Sequence, residues 1–149
     1  MNLPEKMSDL LELAISDLKK CENDPKYEIG MRYWHTFTNP VCLVCLAGSV
    51  LAKTLEVPRD AFLSDTGSLP SGLTDEHGNP SFSRQMECLD YLRRGRIRDA
   101  YRSLHNLFDE DDFPVDTLHE YGVTEYKENR NRFFEDMESM VEYLKRKDL

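Results

Sequence analysis

Cys42 and Cys45 stand three positions apart in the run Cys42-Leu43-Val44-Cys45. On a helix that spacing puts both sulfurs on one face, where they can share a metal or form a disulfide. His35, Cys21 and Cys88 supply further ligands for zinc, which takes four. If the helix starts at Asn39-Pro40, Cys42 falls in its first turn, where the dipole favours the thiolate. Against such chemistry, the chain has no second Cys-x-x-Cys and the flanks are apolar. Free cysteine is among the most buried residue types. The expectation is therefore reduced core cysteines. Cys42, Cys45 and His35 come nearest to a metal site, and no metal or cofactor is assigned.

A second constellation is cationic. Arg93, Arg94, Arg96, Arg98 and Arg102 fall close together, and Arg94, Arg98 and Arg102 are four apart. Provided Gly95 does not break the helix, they form one face. Guanidinium forks suit phosphate or carboxylate, so these five residues are the candidate ligand- or partner-binding surface. The competing reading is that Asp90, Asp99 and the run Asp109-Glu110-Asp111-Asp112 neutralise them within the chain, as mixed charges on a solvated face do. That acidic run lacks the alternating oxygen ligands and the glycine of a calcium loop, and a solvated loop is expected there. His35, His77, His105 and His119 show no metalloprotease spacing, and there is no Gly-x-Ser-x-Gly or phosphate-binding glycine loop. His35 reads as a structural histidine bonding a helix end. No catalytic residue is assigned and no enzymatic activity is expected.

These residues must be positioned by helices. Met7, Leu10, Leu11, Ala14, Ile15 and Leu18 recur at three- and four-residue steps, predicting a helix from Leu3 to about Glu22. Asn2 is its cap, and Asn23-Asp24-Pro25 its stop. From Tyr27 the period changes to two: Tyr27, Ile29, Met31 and Tyr33 alternate with Glu28, Gly30, Arg32 and Trp34. This predicts a minor extended segment near 27–36. An isolated strand is unstable, so it must pack on helices or pair with a second segment, for which the candidate lies within 61–82.

Asn39 as cap and Pro40 at the first helical position predict a helix over Val41–Leu55. It is apolar nearly all round and therefore enclosed by the others. Residues 64–80, rich in Gly, Pro, Ser and Asp, form the longest loop, of a length usually functional or mobile. A helix from Ser81 or Ser83 to Arg94, ended by Gly95, and a short one carrying Ile97, Ala100, Tyr101, Leu104 and Leu107 follow. The last helix spans Glu125 to Lys145. Its Tyr126, Phe133 and Met140 are seven apart, and Met137 and Leu144 complete a heptad pattern that Arg130 interrupts. Packing of this stripe on the protein's own core is expected, with a homodimer through it as the alternative. The fold class is mainly α: about five helices around a buried central helix, 41–55.

The bulk properties agree. With 149 residues the chain is one domain, 1–149, large enough to bury roughly 70% of the surface exposed by the unfolded chain. It carries 19 Lys and Arg against 28 Asp and Glu, a net charge of −9, which excludes a globally basic nucleic-acid binder. Apolar residues at 40% exclude a disordered chain. The longest charge-free apolar stretch, Val41 to Ala52, falls short of the about 20 residues a bilayer needs. No export signal is read at the N-terminus, so a cytoplasmic protein with free thiols and no membrane partner is expected.

Trp34-His35, the run from Cys42 to Ala52, and Leu89-Asp90-Tyr91-Leu92-Arg93-Arg94-Gly95-Arg96-Ile97 are more specific than composition. Together they resemble segments of small bacteriophage-encoded proteins of no assigned function, which share a Trp-His pair, Cys-x-Val-Cys-Leu-Ala-Gly, and a later Leu-Asp…Arg-x-Gly. The resemblance covers about residues 10–105. It implies a phage or prophage source and action in bacterial cytoplasm; it implies no reaction. The resulting expectation is a non-enzymatic phage accessory protein that binds a host macromolecule, most simply a host protein, and inhibits a host system. Two alternatives stand beside it: a nucleotide- or nucleic-acid-binding module using the arginine stripe, and a Cys-x-x-Cys metal or redox protein. A monomer is favoured over a homodimer.

Overall fold

The computed structural model describes residues 3–31, 35–60 and 123–149. Helices dominate these residues and a small sheet joins them. The order is α1 (Met7–Glu22), β1 (Tyr27–Ile29), β2 (Thr36–Phe37), β3 (Cys42–Val44), α2 (Leu46–Lys53), α3 (Val123–Glu128) and α4 (Arg130–Arg146). The helices expected over 81–94 and 97–107 lie outside the described residues. So do the loop 64–80, Asn2, Cys88, the arginine stripe and the 109–112 acidic run.

Helix α1 buries the expected stripe: Met7, Leu10, Leu11, Ala14, Ile15, Leu18 and Cys21 all face the core. It begins at Met7 rather than Leu3. Lys6 occupies the cap position without a side-chain hydrogen bond. Leu3 packs against the core, but Glu5 and Lys6 are exposed, so the turn just before Met7 lacks the buried apolar face that supplies most helix stability. At the other end Asn23 closes the helix through its backbone N–H and its side-chain amide, both donating toward Lys19 O.

The largest correction falls on 39–55. The expected helix start at Asn39-Pro40 is a turn: Asn39 sits at φ 40°, the Asn39–Pro40 peptide is cis, and Thr38 N–H donates to Val41 O at 2.8 Å. The chain then returns as strand β3, whose Cys42 and Leu43 lie opposite Phe37 and Thr36 of β2, antiparallel. On its other side β3 pairs in parallel with β1, Tyr27 opposite Cys42 and Ile29 opposite Val44, giving the order β1-β3-β2. The partner of the first strand is thus the segment read as the start of the central helix. The helix itself is Leu46–Lys53, five residues later at its start and two earlier at its end. Its expected enclosure holds, since every residue from Leu46 to Ala52 is buried.

The last helix is divided at Asn129, which leaves helical geometry at φ −124°, ψ 36°, so α3 meets α4 at a corner. Tyr126, Phe133, Met137, Met140 and Leu144 all lie in the same core cluster as α1, the sheet and α2. The heptad stripe is therefore consumed inside the chain. Burying these five side chains removes a large apolar area from water, at about 25 cal/mol per Å².

Candidate functional site

The structure separates the two cysteines that local spacing joined. Cys42 lies on β3 with its side chain in the core, while Cys45 is the N-cap of α2. The two therefore do not share a helical face. Cys45, not Cys42, meets the helix start, and its Sγ accepts from Gly48 N–H at 3.4 Å. Cys21, Cys42 and Cys45 are free thiols and buried. Burial pushes the Cys42 thiol up to about 11, with Cys21 nearby adding to the effect. Cys21 is pushed up to about 11 by burial, against the opposing pull of Ser49 and Lys53. The competing reading, a helix-activated thiolate at Cys42, loses its basis: Cys42 is a strand residue with no helix dipole behind it, and desolvation favours the neutral thiol. His35 is buried at 2% exposure. Among the described residues no group of three or more His, Cys, Asp or Glu side chains is arranged to hold a metal ion.

Polar side chains at the meeting of α1, α2 and β1 were not singled out by the sequence reading. Asp17 is fully buried, accepting from the Thr54 hydroxyl at 2.5 Å, with Lys20 Nζ at 3.4 Å. Lys53 donates to Asp24 at 2.7 Å and stands 4.8 Å from the centre of the Tyr27 ring. The hydrogen bond from Lys53, then that from Lys26 N–H, holds the Asp24 carboxyl below its ordinary value. One sequence signal points here: Lys53 is the single charge in an otherwise apolar helix. These pairs fasten the ends of α1 and α2 together, an arrangement suited to positioning elements.

At the α3–α4 corner, Glu22 receives three hydrogen bonds. Arg130 donates from Nε at 2.7 Å and Nη2 at 2.8 Å, and the Tyr126 hydroxyl donates at 2.8 Å. Burial works to raise the Glu22 carboxyl, but the bonds from Arg130 and Tyr126 outweigh it and hold it below its ordinary value. Arg130 also lies 4.6 Å over the Phe134 ring. The residue that interrupts the heptad stripe is thus an exposed clasp. A groove of about 320 Å³ opens beside it, lined by Glu22, Tyr27, Glu28, Ile29, Tyr126, Lys127 and Arg130. Its charges are matched, with Lys127 3.7 Å from Glu28.

A second groove, of about 390 Å³, runs between α1 and α4 and is lined by Glu12, Ile15, Glu138, Val141, Glu142 and Lys145. Lys145 donates to Glu12, and Lys19 approaches Glu138 at 3.9 Å. Three carboxylates face one ammonium across two aliphatic side chains. The spacing Glu138–Glu142 on α4 was legible in the sequence; that Glu12 would stand across from it was not.

Comparison with known protein families, with characterised proteins and with solved structures finds no match for this chain. No helix among the described residues is long and apolar enough to cross a membrane.

Proposed function

We propose that this protein binds a host macromolecule without catalysing a reaction, as a phage accessory protein that inhibits a host system in the bacterial cytoplasm. The partner is a host protein presenting a basic surface. The observation that carries this reading is the α1–α4 groove, where Glu12, Glu138 and Glu142 border Ile15 and Val141 on a chain of net charge −9. Carboxylates outnumber ammonium groups there even with Lys145 on Glu12 and Lys19 near Glu138, and such an excess of one sign along a cleft attracts oppositely charged partners and speeds their encounter. The thiols of Cys21 and Cys42 bear only on the competing redox reading and weigh against thiolate chemistry at those two positions. At about 11, Cys21 and Cys42 are protonated at neutral pH, and the thiolate is the nucleophile.

The test is capture from bacterial lysate at graded salt, followed by mass spectrometry. It compares the natural protein with a variant carrying Glu138→Lys and Glu142→Lys. The natural protein should retain a defined basic partner whose binding weakens with salt, and the variant should lose it at an unchanged melting temperature. Equal capture by both would overturn the reading.

A further inference from the structure

We draw no further inference here: the strongest candidate, the groove of about 320 Å³ between β1 and the α3–α4 corner, has its Glu22 and Glu28 carboxylates already paired with Arg130 and Lys127, and nothing in the structure shows what covers it.

Discussion

Arg130 grips Glu22 with two nitrogens, Nε and Nη2, at 2.7 and 2.8 Å across 108 positions of sequence. This fork ties the start of α4 to the end of α1, and the Tyr126 hydroxyl on α3 completes it. Planar two-pronged pairs of this kind are stronger than single contacts between neutral groups. The Arg130 side chain is 45% exposed, so solvent screens part of that strength.

The clasp should make stability pH-dependent. The Glu22 carboxyl is held below its ordinary value of 4.5 in the folded protein, so the folded state favours the charged form. Its contribution is fully present above that ordinary value and is lost as pH falls through the folded value. Urea melts between pH 7 and pH 3 should show this loss, and Glu22→Gln should remove that component of the pH dependence. An unchanged pH profile in the variant would show that the clasp contributes nothing.

Tyr126→Phe keeps the edge-to-face contacts with Phe133 and Phe134, at 5.2 and 6.3 Å between ring centres, and deletes only the hydroxyl. The expected cost is about 1 kcal/mol, the net worth of one hydrogen bond. Tyr126→Ala should cost about 3–5 kcal/mol, because the ring is buried and a cavity remains. Chemical denaturation of the two variants separates the hydroxyl from the ring.

Cys21, Cys42 and Cys45 are buried. All three should react slowly with an alkylating reagent at neutral pH in the native protein and fully in urea. Mass spectrometry of the alkylated protein reads this directly. Fast labelling of Cys42 without denaturant would restore the activated-thiol alternative.

Leu46→Ala, at the start of α2, should cost about 2–5 kcal/mol by leaving a cavity, since Leu46 is fully buried. Gly48→Leu at another buried position should destabilise despite the better helix propensity of leucine, through overpacking of about 1–3 kcal/mol. Urea melts that match the natural protein would place α2 at the surface.

The arginine stripe Arg94, Arg98 and Arg102, which lies outside the described residues, is the ligand-binding surface of the alternative reading and has its own test. If that face is an exposed binding surface, reversing the charge at Arg94 and Arg98 should abolish binding of an anionic partner while leaving the melt nearly unchanged, because exposed charge pairs contribute about 0–1 kcal/mol. A double-mutant cycle against Asp111 and Asp112 measures the competing reading. Coupling above about 1 kcal/mol would show that the acidic run neutralises the stripe.

The stripes of α1 and α4 were legible in the sequence because helical periodicity is local. Met7 to Leu18 and Phe133 to Leu144 carry it in their own spacing, and both stripes are buried. The stop at Asn23-Asp24-Pro25 was legible for the same reason, and so was the enclosure of Leu46 to Ala52. Cys42-Leu43-Val44 was not, since a short apolar run suits a buried strand as well as a helix. Its state was decided by Tyr27 to Ile29 on one side and Thr36 and Phe37 on the other, contacts that no local pattern encodes. The acidic groove and the Glu22–Arg130 clasp likewise exist only because α1 and α4 pack together. Sequence alone determined which faces are apolar; the tertiary structure decided which of them meet, because pairing and packing join residues far apart in the chain.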